Sequence, residues 1–304
     1  MPQPQQTGEP VLSETQVATY REKGFIVVED IFSADDLKQM RDALNGLIED
    51  ARSLTEHTGV IDLEPGHTPE RPRVRRIKEP FLNHPVFNEM ARRPKLIAAL
   101  TALIGPNLRM HGSKINLKSA TYGSPVEWHQ DWAFYPHTND DVLAVGVMLD
   151  DMTDDNGPLL CLPGTHKGPT YDHHQDGHFV GAVDPQACDL DFANAEKITG
   201  KAGSCSFHHV RMMHGSGQNT SGKDRRLLLF QVAAADAWDL RGMDRIGSWD
   251  QYKKTMITGT PTNEPRVVVT PIRLPYPEPL RKGSIYESQT LVKNKYFGST
   301  SAAE

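Results

Sequence analysis

Between Leu108 and about residue 236 the chain consists of short segments rich in β-branched and apolar residues. This pattern is typical of β-strands and limits the folds that the chain can adopt. Gly, Pro, Asn and Asp separate the segments. Val142 to Leu149 is an apolar run bounded by acids, which predicts a strand buried on both faces. No amphipathic helix pattern lies between these segments, so the pattern favours an antiparallel sandwich or barrel over βαβ units.

The part of the chain before this region has the pattern of helices. Ser33 and Asp36 form a capping signature in front of a segment whose apolar residues recur at three- and four-residue spacing. Pro85 and Pro94 each stand where the first residue of a helix is expected. Helices followed by strands predict helices packed on one face of a jelly roll, and therefore a mainly β fold with flanking helices.

The length of 304 residues is compatible with one large domain and a sizeable core. The first residues are Pro- and Gln-rich, which is typical of disorder, and the end of the chain has little pattern. We predict a single domain over residues 1–304 with four parts: a disordered tail (1–12), a mainly helical flank (13–106), a jelly-roll core (107–236) and a C-terminal extension (237–304).

Composition excludes several classes of partner. The formal net charge of −6 argues against a nucleic-acid-binding surface, and no run of about 20 apolar residues is present that would span a membrane. The three cysteines have no metal-like spacing and no secretory signal is visible, so we expect free thiols and a cytoplasmic location. A small-molecule partner is the expectation that remains, and the oligomeric state cannot be predicted.

The most chemically suggestive segment is Glu127 to Trp132, which contains His129 and Asp131. Residues two apart on a strand point to the same face, so both side chains would project from one wall. A lone His-x-Asp pair arises easily by chance. A third ligand would complete the 2-His-1-carboxylate set that binds Fe(II) in oxygenases, and His214, which follows another predicted strand, is the candidate.

Two further residues suit a carboxylate ligand near that metal. Arg225 opens the last strong strand and could hold a carboxylate through a bidentate fork. Arg226 is the alternative, because it is as near in sequence. The hydroxyl of Ser216 could take a second contact with the same ligand.

Three stretches of this chain resemble the phytanoyl-CoA dioxygenase family. Residues 156–168 (NGPLLCLPGTHKG), residues 214–219 (HGSGQN) followed by Arg225, and residues 128–131 (WHQD) are similar to ordered motifs of that family, and the match runs from roughly residue 75 to 235. The resemblance implies a double-stranded β-helix of the cupin-like jelly-roll type, an Fe(II) centre, and 2-oxoglutarate and O₂ as cosubstrates.

Carried over onto this sequence, the resemblance implies that His129, Asp131 and His214 bind iron. It implies that Arg225 pairs with the C5 carboxylate of 2-oxoglutarate and that Ser216 also contacts this cosubstrate. Lys78 falls where the family can place a cosubstrate-contacting lysine.

The sequence departs from the phytanoyl-CoA hydroxylating member at two positions that the resemblance places in the cosubstrate pocket. Val147 stands where that member has Trp, and Lys114 stands where it has an apolar Met. Asp131 is present, whereas related halogenases lack this carboxylate and leave room for chloride. Oxidation, and hydroxylation in particular, is therefore favoured over halogenation.

The predicted function is hydroxylation of a C–H bond of a small metabolite, with release of succinate and CO₂. Two alternatives stay open: an acyl-CoA 2-hydroxylase of the phytanoyl-CoA type, and a non-catalytic metal-binding relative. The basic run Arg71 to Lys78 is either a solvated surface or an anion-binding edge. The loops at 51–80 and 165–195 are candidate lids, and Trp132, Phe134 and Tyr135 are candidates to face the substrate.

Overall fold

The computed structural model describes residues 10–121, 123–242, 246–273, 279–280 and 283–298. The α-helices are α1 (Glu14–Lys23), α2 (Ala34–Asp50), α3 (Pro80–Asn83), α4 (Pro85–Met90), α5 (Pro94–Ile104), α6 (Trp249–Thr255) and α7 (Ile285–Gln289). The strands are β1 (Phe25–Val28), β2 (Ile61–Leu63), β3 (Val74–Lys78), β4 (Leu108–Lys118), β5 (Val126–Gln130), β6 (Val142–Met148), β7 (Leu159–Cys161), β8 (His174–Gln175), β9 (His178–Phe179), β10 (Glu196–Ile198), β11 (Cys205–His209), β12 (Met213–Ser216), β13 (Arg225–Ala234) and β14 (Met256–Thr258).

The helix boundaries follow local sequence signals. The side chain of Ser33 accepts a hydrogen bond from the backbone N–H of Asp36, and the Asp36 side chain reaches back to the Ser33 N–H, which closes a capping box in front of α2. Pro85 and Pro94 are the first residues of α4 and α5, as predicted. Helix α5 ends at Ile104, and the capping residue Gly105 has a φ of 91°, in the region that favours glycine.

The strands form two main antiparallel sheets. The larger sheet has the order β1-β11-β6-β13-β4-β3-β2, with β14 pairing with β4. The smaller sheet has the order β10-β7-β12-β5, and β8 and β9 form a separate hairpin. A cavity lined by residues of β4 and β13 from the larger sheet and of β5 and β12 from the smaller one lies between the sheets. The predicted mainly β architecture of two facing sheets with flanking helices is therefore confirmed.

The two faces of the larger sheet have different surroundings. On β13, Leu228 and Phe230 belong to the main hydrophobic core, together with the fully buried Met40 and Leu44 of α2. The residues of opposite parity, including Leu227 and Leu229, line the cavity between the sheets. The helical layer therefore covers the outer face of the larger sheet and leaves its inner face to the site.

The structure adds strands to two of the predicted parts. Strands β1, β2 and β3 come from the range predicted as a helical flank, and β14 comes from the C-terminal extension, so the larger sheet is wider than the predicted core. Most of the predicted tail lies outside the described residues, but Leu12 is buried against the main core, so disorder does not extend to residue 12. Among the described residues, no helix combines the length and apolar character needed to cross a bilayer.

Candidate active site

The three predicted metal ligands converge on one point between the sheets. His129 on β5 and His214 on β12 are directly opposite each other in the antiparallel pair, and their ring centroids are 4.1 Å apart. Strand β5 ends at Gln130, so Asp131 lies in the 3₁₀ turn that follows and not on the strand as predicted. His129 Nε2 is nevertheless 3.8 Å from Asp131 Oδ1, and one ligand atom from each of the three residues lies within 4.8 Å of the others.

Both imidazoles are oriented by the backbone of their own strands. The Nδ1 of His129 is 2.8 Å from the carbonyl oxygen of Glu127, and the Nδ1 of His214 is 2.9 Å from the carbonyl oxygen of Met212. A protonated Nδ1 donates to these carbonyls and leaves the lone pair of each Nε2 directed to the site. These two nitrogens and a carboxylate fit an Fe(II) ion, which binds such sets with coordination positions left open.

Burial sets the protonation of these three groups. His129, Asp131 and His214 are 3%, 5% and 5% exposed. Burial lowers the pKa of both histidines, so their imidazoles are neutral and able to bind a metal. Burial acts to raise the pKa of Asp131, but nearby His214 and Lys114 outweigh it, so the pKa lies below its ordinary value and the carboxylate is ionised.

A fourth imidazole, which the sequence did not single out, lies against the triad. His208 on β11 is 1% exposed, its ring centroid is 4.6 Å from that of His214, and its Nε2 is 3.9 Å from Asp131 Oδ2. Neither of its ring nitrogens has a hydrogen-bond partner, and burial lowers its pKa to about 3. His208 reaches the cavity because it pairs opposite Ala144, which also lines the cavity. This pairing between strands cannot be predicted from one sequence, so no sequence signal identified His208.

The other end of the cavity is cationic. Arg225 and Lys118 are opposite each other on β13 and β4, both are 2% exposed, and both line the cavity. One terminal nitrogen of Arg225 donates to the carbonyl of Gly157, and its Nε has no partner. Lys118 Nζ donates to Ser216 Oγ at 2.9 Å. This group of Arg225, Lys118 and Ser216 could hold a carboxylate, and Lys118 was missed at the sequence level.

The structure separates the two candidate arginines. Successive residues on a strand face opposite sides, and Arg226 accordingly points away from the cavity. Its guanidinium donates to both oxygens of Asp150, at 2.8 Å and 2.6 Å. Of these two, Arg225 alone lines the cavity.

Lys78 is not at this end of the cavity. Its Nζ donates to the carbonyl of Thr58 at 2.7 Å and to Asp62 Oδ1 at 2.9 Å. It lines the outer cleft rather than the cavity that Arg225 and Ser216 line. The amine of Lys78 is therefore directed to Thr58 and Asp62 and away from Arg225, because β3 pairs with β4 on the side away from β13.

An outer cleft opens onto the triad at Asp131. Phe134 and Tyr135 line it, and the Phe134 ring packs edge-on against His129 with 5.8 Å between centroids. Burial and the nearby Asp131 raise the pKa of Tyr135, whose hydroxyl accepts a hydrogen bond from Gln231 at 2.8 Å. Trp132 is instead fully buried, and its Nε1 donates to the carbonyl of Pro271.

The cleft walls come partly from the predicted lid loops. Gly59 belongs to the 51–80 range and Phe179 to the 165–195 range. The cleft is also lined by Asp239, Arg241 and Ser284 of the C-terminal extension, which the sequence did not implicate.

A second His-His-Asp group lies along this cleft. One ligand atom each from His111, His137 and Asp239 lies within 4.8 Å of the others. His137 is 1% exposed, its Nδ1 is 2.7 Å from the carbonyl oxygen of Tyr135, and its Nε2 has no partner. Asp239 is held by Arg241, whose Nε donates to Oδ1 at 2.9 Å. This group therefore has three side chains that could bind a metal, but a cation, Arg241, already binds its one carboxylate.

Comparison with known proteins gives a consistent picture. The family model "Phytanoyl-CoA dioxygenase (PhyH)" matches residues 20–227. A probable alpha-ketoglutarate-dependent hypophosphite dioxygenase of Stutzerimonas stutzeri is 38% identical over 286 residues, which are 93% of this chain and 99% of that protein. An ectoine dioxygenase of Bordetella bronchiseptica is 28% identical over 230 residues, which are 69% of this chain and 71% of that protein.

Solved structures of EctD from S. alaskensis are also similar to this fold. The form with bound Fe superposes with a TM-score of 0.64, and the form with 2-oxoglutarate and 5-hydroxyectoine with 0.63. Both are 27% identical to this chain, cover 75% of it, and are themselves covered over 79% and 78% of their lengths. These neighbours carry the jelly-roll fold that the two facing sheets indicate.

Proposed function

Because this chain belongs to the phytanoyl-CoA dioxygenase family, we propose that His129, Asp131 and His214 bind Fe(II) and that Arg225 and Ser216 bind 2-oxoglutarate. The protein is an Fe(II)- and 2-oxoglutarate-dependent dioxygenase. When bound, iron and 2-oxoglutarate supply the oxidising chemistry, in which O₂ and 2-oxoglutarate are consumed and succinate and CO₂ are released. The observation that carries the residue assignment is the convergence of two neutral imidazoles and one ionised carboxylate within 4.8 Å.

The residues of the chain have separable tasks in this proposal. The Glu127 and Met212 carbonyls hold the two imidazoles with Nε2 directed at the metal position. Arg225 provides a guanidinium and Lys118 an amine for the distal carboxylate of 2-oxoglutarate, and Ser216 adds a hydroxyl. Burial and the nearby Arg225 lower the pKa of Lys118, and a bound carboxylate would favour its charged form. Phe134 shields His129 on the side of the cleft.

The test is an anaerobic titration of the Fe(II)-loaded protein with 2-oxoglutarate, followed by the weak visible charge-transfer band of the chelate. Arg225→Met should weaken 2-oxoglutarate binding by about tenfold or more, because a charge-assisted contact is lost. Arg226→Met is the matched control, since that side chain pairs with Asp150 outside the cavity, and it should keep the band. Equal titrations for the two variants would contradict the assignment of Arg225.

Loss of the metal should be tested separately. Asp131→Ala removes the one carboxylate of the triad, and we expect it to abolish succinate formation and stoichiometric Fe(II) binding. Turnover equal to that of the parent would refute the iron site and would favour the non-catalytic alternative.

We propose that the substrate is a small metabolite that enters through the outer cleft. The relative from S. stutzeri acts on hypophosphite by its name and the bacterial ectoine dioxygenase on ectoine, so a P–H bond and a C–H bond are both candidates for oxidation. Succinate release with hypophosphite and with ectoine, compared with release in the absence of substrate, distinguishes them. An acyl-CoA thioester is the further alternative and belongs in the same assay.

We also propose a cytoplasmic location. Cys161, Cys188 and Cys205 are free thiols, and the first and last of these are buried. Free cysteines are typical of a reducing compartment. Localisation of a tagged chain by fractionation tests this proposal.

A further inference from the structure

The charges that line the outer cleft are mostly positive. Among the described residues that line it, Arg76, Lys78, Arg109, Lys114, Arg241 and Lys254 are cationic, and Glu79, Asp131 and Asp239 are acidic. Asp131 belongs to the proposed iron site. The cleft therefore has an excess of positive charge, although the whole chain has a formal net charge of −6.

Three of these six cations already have acidic partners. Arg76 and Lys78 both pair with Asp62, at 2.7 Å and 2.9 Å, and Arg241 pairs with Asp239. Lys254 is exposed. Arg109 and Lys114 are the two that remain, and neither forms an ion pair with any described residue.

The surroundings of Arg109 leave its guanidinium only partly satisfied. The side chain is 2% exposed, one terminal nitrogen donates to the carbonyl of Ala237, and its Nε has no partner. Its Cζ lies 5.7 Å from the centroid of the Tyr252 ring, and a buried guanidinium with an unused donor favours an anionic ligand. Lys114 is partly buried, has no hydrogen-bond partner among the described residues, and lines both the inner cavity and the outer cleft.

A bulge in β4 brings these two residues to the same face of the sheet. Gln231 pairs with Gly112 but the next residue, Val232, pairs with Met110, so His111 is an extra residue in β4. Without this insertion, Arg109 and Lys114 would have opposite parity and face opposite sides of the sheet. With it, both lie on the inner face, and the bulge re-aims Arg109 towards the cleft.

The group of Arg225, Lys118 and Ser216, which is proposed to hold the distal carboxylate of 2-oxoglutarate, does not include these two cations. On β4, Lys114 lies four residues from Lys118, towards Asp131 and the outer cleft. The distal carboxylate of 2-oxoglutarate is proposed to lie at Arg225 and Lys118, and its other carboxylate would lie at the iron. Arg109 is farther along β4 in the same direction, beyond Lys114.

We propose that Lys114 and Arg109 form an oxyanion site for the substrate, so that the enzyme selects small molecules carrying a carboxylate, phosphinate or phosphonate group. This inference rests on the proposed function, because it places the anion beside the iron site. The neighbouring His111, His137 and Asp239 have the spacing of metal ligands, but Arg241 binds Asp239 and Arg109 contributes a further positive charge. Two guanidinium groups favour an anion over a second cation at this place.

The experiment is an anaerobic calorimetric titration of the Fe(II)- and 2-oxoglutarate-loaded protein with sodium hypophosphite and with sodium acetate. We expect saturable binding of at least one probe, and weakening by about tenfold or more in Lys114→Met. Lys254→Met removes an exposed charge of the same cleft and is the matched control, for which we expect a change of less than about twofold. Arg109→Lys keeps the charge but loses the fork, and it should weaken binding as well.

The outcomes separate this proposal from the assignment of the cosubstrate site. Retention of the charge-transfer band in Lys114→Met shows that the variant is folded and binds 2-oxoglutarate. Absence of binding of both probes to the parent, or equal binding by Lys114→Met and the parent, overturns the oxyanion site and leaves the cosubstrate site untouched. Binding of a second Co²⁺ per chain that His137→Ala removes would also overturn it, in favour of a second metal site.

Discussion

At the scale of single residues, two lysines near the site have different partners: Lys118 Nζ donates to Ser216 in the cavity, and Lys78 Nζ donates to Asp62 in the outer cleft. His129, Asp131 and His214 were predicted because a His-x-Asp pair and a distant His match a chemical requirement of iron. Lys118 was not predicted, because its closeness to Arg225 depends on the pairing of β4 with β13. Lys78 was expected beside the cosubstrate, yet its amine binds Asp62 in the outer cleft.

Substitution of Lys118 and of Lys78 therefore tests which of the two lysines contacts 2-oxoglutarate. We expect Lys118→Met to raise the KM for 2-oxoglutarate by about tenfold or more, because a buried charge-assisted contact to the carboxylate is lost. Lys78→Met should leave this KM within about twofold, since its amine is directed to Thr58 and Asp62. Initial rates of succinate formation over a range of 2-oxoglutarate concentrations measure both values. A larger effect at Lys78 would restore the motif-based placement.

At the scale of elements, local signals predicted the helices and left β2 and β3, at one edge of the larger sheet, unassigned. Ser33, Pro85 and Pro94 mark helix starts by capping and by proline geometry, and these operate over a few residues. Strand β3 has the sequence VRRIK and joins the sheet through its pairing with β4. The bulge at His111 likewise depends on the register between two strands, which one sequence does not encode locally.

One face of the larger sheet is covered by helices and the other lines the site, so a substitution under the helices should change stability without changing 2-oxoglutarate binding. Met40 of α2 is fully buried in the main core, so Met40→Ala should lower the free energy of unfolding by about 3 kcal/mol. The exposed neighbour Gln39 is the control, and Gln39→Ala should change it by less than about 0.5 kcal/mol. Denaturant unfolding measures the difference. Both variants should keep the 2-oxoglutarate band, and its loss in folded Met40→Ala would contradict this expectation.

At the scale of the whole molecule, the sum of charges conceals their distribution. The formal net charge of −6 argued against a nucleic-acid-binding surface, whereas the cleft at the iron site is lined by more cations than acids. Such a local field attracts anionic ligands even to an acidic protein, and its reach is limited by salt to about 8 Å at physiological ionic strength. The alternative we kept for the basic run at Arg71 to Lys78, an anion-binding edge, corresponds in part to this cleft through Arg76.

Buried neutral histidines predict a stability that depends on pH. Burial lowers the pKa of His137 and of His173 from 6.5 to about 4. The unfolded chain therefore binds more protons between about pH 6.5 and pH 4, and the free energy of unfolding falls as the pH is lowered through this window. Each residue accounts for about 3 kcal/mol when fully titrated.

His173 provides the variant for this test, because its Nε2 accepts a hydrogen bond from the backbone N–H of Gln130 at 2.9 Å. Denaturant unfolding of metal-free parent and His173→Gln at pH 7 and pH 4.5 gives the four free energies required. We expect a smaller loss of stability on acidification in the variant. An identical loss would show that the pKa of His173 is close to its ordinary value.

The direct pairing of His129 with His214 has a consequence for exchange of the metal. The separation of these two ligands is fixed by hydrogen bonds between adjacent strands. The folded chain therefore positions both histidines before the metal binds, and folding does not require the metal. Structural zinc sites behave differently, because there the metal drives folding of the chain. We expect a protein built in this way to release its ion to a chelator and to bind Fe(II) again without refolding.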